Sequence, residues 1–147
     1  MKFSPIILTS WSAGYGAVRA ILRVPEHYAR VDRVMLIDSM HASYVGDAPG
    51  TGPNQESQVV PEHIAVFVAF ARDAVEGHKR MIVTHSEIFP GTYASTTETT
   101  DTLVSSLGLA IKPVLKWGPL KMQQLGEVKK GKFQLIGYAG NSAPDHV

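Results

Sequence analysis

Hydrophobic positions along this chain follow two periods in turn. Residues 6–9, Ile-Ile-Leu-Thr, form a short continuous apolar run rich in β-branched side chains, which predicts a fully buried parallel strand. Residues 13–23 then predict a helix, with Tyr15, Val18, Ile21 and Leu22 at helical spacing and Pro25 as its stop. Residues 34–37 read as a second buried strand. From 43 to 60 the chain turns loop-like, as Gly46, Pro49, Gly50, Gly52, Pro53 and Asn54 crowd together. A loop this long in a small domain is functional or mobile, and a lid is one such use. Pro61 opens the next helix, where Ile64, Phe67, Val68, Ala71 and Val75 make one stripe and Gly77 marks the end. Residues 81–83 give a third strand, 96–107 a helix closed by Gly108, and 133–138 a fourth strand. Residues 113–119, which include Trp117, carry no assignable period.

Strands that alternate with helices predict an α/β fold, with a mostly parallel sheet of about four strands flanked by helices and joined by right-handed crossovers. Ligands of such sheets bind beyond the carboxyl ends of the strands. The 147 residues suit a single domain. The net charge of +1 is spread along the chain, and the densest cluster, Lys129, Lys130 and Lys132, reads as a solvated turn. Neither nucleic acid nor a membrane is therefore expected as a partner. The absence of cysteine removes disulfides, thiol nucleophiles and zinc ribbons. The first apolar run is too short for a signal-peptide core or a membrane span, so a cytoplasmic protein is expected.

The informative turn is Ser10-Trp11-Ser12-Ala13-Gly14, between a strand and a helix. A serine on a sharp strand-to-helix turn needs small residues two positions before and two after it, and Ser10 and Gly14 supply them. The helix start aims backbone N–H groups at a developing oxyanion, Ala13 N–H first. A serine needs a base and a group that orients the base. In the chain order serine, acid, histidine, His146 is the candidate base. Two acids compete: Asp38 at the end of the second strand and Glu87 after the third. His27, His63 and His78 read as surface residues. Trp11, Tyr15, Tyr44 and Tyr93, with His41 and His85, are candidates to line a substrate pocket. Asp38, His41, His85 and Glu87 also make an alternative, metal-binding set, although their spacing fits no known motif.

The stretch Ile7-Leu8-Thr9-Ser10-Trp11-Ser12-Ala13-Gly14-Tyr15-Gly16 resembles the nucleophile elbow of α/β-hydrolase superfamily esterases. Residues 34–44, 84–86, 93–99 and 137–147 are similar to poorly characterised bacterial members. The resemblance implies a truncated or minimal α/β-hydrolase fold and a serine esterase without cofactor or resident metal. Its substrates would be small carboxylic esters or lactones, with Ser12 as nucleophile and His146 as base. Ser10 stands where the usual motif has glycine. The full fold also implies about four further strands before the elbow strand, and a second oxyanion donor from a loop among them. Without them the activity is expected to be weak, or the chain to be a non-catalytic binding or oligomerisation module. The sheet edge beside residues 6–9 would be open, and open apolar edges pair with something. A homo-oligomer, a dimer, is expected.

Overall fold

A computed structural model describes residues 4–46 and 58–146. The middle of the long loop, residues 47–57, lies outside the described residues, and with it most of the candidate lid. Six strands form one mixed sheet in the order β1-β2-β3-β6-β5-β4. β1 (Ile6–Trp11), β2 (Val31–Ile37), β3 (Arg80–His85) and β6 (Phe133–Tyr138) run parallel. β5 (Gln123–Lys130) and β4 (Lys112–Trp117) extend the sheet beyond β6 as an antiparallel pair.

The expected four-stranded sheet flanked by helices is therefore wrong. β4 escapes a hydrophobic reading because it is an edge strand, Lys-Pro-Val-Leu-Lys-Trp, mostly exposed. Proline and lysine are tolerated at an edge, where N–H groups need no ladder partner. β5 escapes because two of its buried positions are Gln124 and Gly126 rather than large apolar residues. Lys129 and Lys130 are exposed, as a solvated turn requires, but they end β5, and the turn itself is Gly131 and Lys132.

The helices are not distributed over both faces. α1 (Tyr15–Leu22), α3 (Pro61–Val75) and α4 (Thr96–Ser106) touch in succession, and the short α2 (Pro25–Arg30) leans on α1. Pro25 thus starts a helix as well as ending one, since its fixed φ and missing N–H suit a first helical position. On the covered face, Val34, Met81 and Phe133 form one row across the sheet and Leu36, Val83 and Leu135 the next, all fully buried. α3 lays Phe67, Phe70, Ala71 and Ala74 against them, whereas Val68 and Val75 are only half-buried. Each large side chain so buried stabilises the fold by about 1.5–3 kcal/mol. The opposite face carries Met35, Ile37, Ile82 and Ile136, half-buried, and exposed Trp11. No helix among the described residues packs there. β1 is the other edge strand, with Ile7 52% exposed, so residues 6–9 are not the fully buried strand that their run of apolar residues predicts. No helix among the described residues is long and apolar enough to cross a membrane.

The β5–β6 turn docks under the end of α3, where Lys132 N–H donates to Ala74 O at 2.8 Å. Gly131 has φ +56°, and a Cβ there would lie 2.0 Å from Val75 O. Gly108 has a similar φ of +66° but open space around it. Gly131→Ala is expected to destabilise the fold by about 1–3 kcal/mol more than Gly108→Ala, because a backbone carbonyl must move. Urea unfolding of the two variants measures the difference.

Candidate active site

The site forms at the carboxyl edge of the parallel strands, beginning with the turn after β1. Ser12 has φ +53°, a left-handed conformation that a non-glycine residue rarely adopts. Such strain marks positions held by their surroundings, often functional ones. Residues Ser12–Gly14 form a 3-10 turn that runs into α1, so the Ala13 N–H lies in a first turn that offers it no intrahelical acceptor. A Cβ on Gly14 would come 3.1 Å from Ser10 Cβ, so a side chain there would press on Ser10 and the small residue suits the turn. Ser10 in place of glycine has its own partner. Its hydroxyl lies 2.7 Å from Ser39 Oγ, and Ser39 Oγ donates to Ser12 O at 2.7 Å. One hydroxyl carries one proton, so Ser10 donates to Ser39.

Asp38 follows β2, is 1% exposed and also has a positive φ, +42°. Oδ1 accepts from Ser86 N–H at 3.0 Å and from Thr96 Oγ1 at 2.5 Å. Oδ2 accepts from Ser86 Oγ at 2.7 Å and from His146 Nδ1 at 2.5 Å. Burial by itself pushes the carboxyl pKa up, but the bonds from Ser86, Thr96 and His146 outweigh it and hold the pKa below its ordinary value. Thr96 opens α4, whose N-terminal dipole also favours an anion. Since a carboxylate can only accept, His146 Nδ1 is the donor, and in the neutral ring Nε2 then carries the lone pair of a base. The His146 side chain is 24% exposed. Trp11 fixes it from the elbow side: its indole N–H donates to His146 O at 3.1 Å and its ring lies 5.1 Å from the imidazole.

Of the two candidate acids, Asp38 meets His146. Glu87 serves the loop before the histidine instead: its N–H donates to Gly140 O at 2.9 Å and its carboxylate accepts from Gly140 N–H at 3.4 Å. Asp145 closes the same loop by accepting from Ser142 N–H at 3.0 Å. Ser12 Oγ is not hydrogen-bonded to His146 in this structure, although the neighbouring Trp11 is in contact with that histidine.

A cavity of 340 Å³ opens beside the pair, with His41, Ile88, Pro90, Tyr93 and Ala143 among its walls together with Asp38, Thr96 and His146. The other aromatic candidates lie elsewhere. Tyr15 packs edge-on against His41 with ring centres 5.6 Å apart, and the Tyr44 hydroxyl donates to Glu98. His85 is held over Gly137, where a Cβ would lie 2.5 Å from its Nε2, and its Nδ1 faces Ser86 O. Desolvation lowers the pKa of both His41 and His85. The alternative metal set is dispersed: His41 Nδ1 is on Ala94 O, His85 on Ser86, and Glu87 on Gly140. Among the described residues only Asp73, Glu76 and His78 bring potential ligand atoms together, on the surface away from this edge.

Sequence reasoning missed Ser39, Ser86 and Thr96. The available signal was a hydroxyl residue directly after each strand-end acid or histidine, in Asp38-Ser39 and His85-Ser86.

A depressed folded-state pKa means that Asp38 contributes stability at neutral pH that is lost as pH falls through that value. Stability should therefore decline below the ordinary aspartate range. Asp38→Asn should flatten this acid limb and cost about 1–3 kcal/mol at pH 7, because an amide cannot accept all four bonds. Denaturant midpoints from pH 7 down to pH 3 test both. Set against protein-family models, curated proteins and solved structures, the chain matches none.

Proposed function

We propose that this protein is a serine hydrolase of small carboxylic esters, lactones included. The observation that carries the reading is the hydrogen-bonded pair of buried Asp38 and half-buried His146, in contact with Trp11, the residue before the strained Ser12. In this reading Ser12 Oγ attacks the ester carbonyl carbon while His146 Nε2 takes its proton. The tetrahedral oxyanion accepts from Ala13 N–H. Collapse expels the alcohol, protonated by His146, and leaves an acyl-serine. Water, deprotonated by the same nitrogen, attacks that acyl group and releases the acid and free Ser12. Asp38 fixes the tautomer and stabilises the imidazolium. The reading requires Ser12 Oγ and His146 Nε2 to come within hydrogen-bond reach when substrate binds, since catalytic hydrogen bonds often tighten only then. The elbow's resemblance to α/β-hydrolase esterases points the same way. A single identified oxyanion donor makes the enzyme slow, since loss of one donor costs on the order of 10²–10³ in rate.

The apolar edge of β1 supports a second element of the proposal, a homodimer. Residues Ile6–Trp11 contain neither proline nor charge, and no strand among the described residues pairs with their outer edge. Edges of this kind recruit strands. Antiparallel pairing with β1 of a second copy closes the interface by symmetry.

Purified protein should hydrolyse p-nitrophenyl acetate and butyrate, insensitive to chelator. Ser12→Ala should lower kcat by on the order of 10⁴-fold and abolish labelling by a fluorophosphonate. Full activity in Ser12→Ala refutes the serine mechanism. Light scattering should give a dimer mass, and Ile7→Lys should give a monomer. A wild-type monomer refutes the edge pairing.

A further inference from the structure

Resting on the esterase reading, we propose that the His41 side of the cavity is a subsite for a hydroxyl group, so that the preferred substrates are hydroxy esters. The cavity walls are mainly apolar, with Ile88, Pro90, Tyr93 and Ala143, and their polar groups are almost all spoken for. Asp38 has four donors on its two oxygens, Thr96 spends its proton on Asp38, and His146 Nε2 is the base.

His41 remains. Its Nδ1 lies 3.2 Å from Ala94 O, and a carbonyl only accepts, so Nδ1 carries the proton. In the neutral ring Nε2 is then an acceptor. Among the described residues no donor meets it. Every buried side-chain nitrogen and oxygen among the described residues has a partner, so Nε2 must reach open space, and the space that His41 borders is the cavity. The ring is also held in place, edge-on between Tyr15 at 5.6 Å and Tyr93 at 5.1 Å. Burial lowers the His41 pKa and keeps the ring neutral at pH 7, which preserves the acceptor. A fixed acceptor in an apolar wall is matched by one neutral donor on the substrate. An ammonium group would find no carboxylate free to pair with it there, because Asp38 is saturated. A hydroxyl on the acyl chain fits. Sites built to hydrogen-bond a substrate hydroxyl discriminate strongly against analogues without it.

The test compares kcat/KM for ethyl butyrate, ethyl 2-hydroxybutyrate and ethyl 3-hydroxybutyrate in wild type, His41→Phe and His41→Gln. Phenylalanine keeps the ring between the two tyrosines and removes the acceptor, whereas glutamine retains one. Wild type should favour one of the hydroxy esters by roughly tenfold or more. His41→Phe should bring that ratio to about one, and His41→Gln should recover part of it. A wild-type ratio near one overturns the subsite, as does a ratio unchanged in His41→Phe. Calorimetric binding of the same three esters to Ser12→Ala, with and without His41→Phe, reads the subsite without turnover. Preference there without catalysis in the wild type keeps the subsite and removes the esterase. Turnover that depends on Ser12 but not on His41 does the reverse.

Discussion

One buried carboxylate ties the carboxyl end of this sheet together. Asp38 belongs to the turn after β2, yet its four hydrogen bonds come from the turn after β3, the first residue of α4 and the penultimate residue of the chain. A buried charge is tolerated only when its hydrogen-bonding capacity is filled. Each of the three segments that fill it is thereby fixed relative to β2. Removing any one donor leaves the carboxylate short and loosens the others, since networks of this kind are cooperative. The same bonds that make Asp38 acceptable in the interior also set the tautomer of His146. Structural and chemical requirements therefore coincide at one residue.

The turn after β1 is organised by a similar arrangement one residue beyond Asp38, in the turn after β2. Ser39 receives the Ser10 hydroxyl and donates to the Ser12 carbonyl, which gives a partner to the backbone of the one residue held at φ +53°. A glycine at position 10 would satisfy the steric demand of the turn equally well. It would leave Ser39 without the donor it now accepts from. The hydroxyl at position 10 is thus partnered by one in the turn after β2.

How far the sequence discloses this depends on how each residue signals. β2, β3, β6 and α3 are legible because most of their buried positions are apolar, and β1 because its residues are mostly apolar although Ser10 alone is buried. Asp38 and His146 were legible as candidates from chain order, but the choice between Asp38 and Glu87 was not. That choice rests on which acid the loop from Gly140 to Asp145 brings within reach, a tertiary matter. Ser86 and Thr96 are ordinary hydroxyl residues whose meaning comes only from facing Asp38. β4 and β5 were lost for the opposite reason to β1. Their exposed lysines, glutamines and proline suit an edge and its neighbour, while the apolar run of β1 suits an interior strand and yet stands at an edge.

That mismatch at β1 bears on the whole sheet. Parallel strands are ordinarily covered on both faces, and here the four α-helices among the described residues gather on one. The open face keeps Met35, Ile37, Ile82 and Ile136 half-buried, and Ile7 and Trp11 largely exposed. At the amino end of the same strands, Arg33 stands beside Arg80 in register, both exposed. Like charges side by side on a sheet repel, which keeps that end of the face wet. The two arginines bound the apolar strip, which runs from Ile7 beside Arg33 to Trp11 at the candidate site. A strand seated on the β1 edge would lie beside Trp11, the residue whose indole contacts His146.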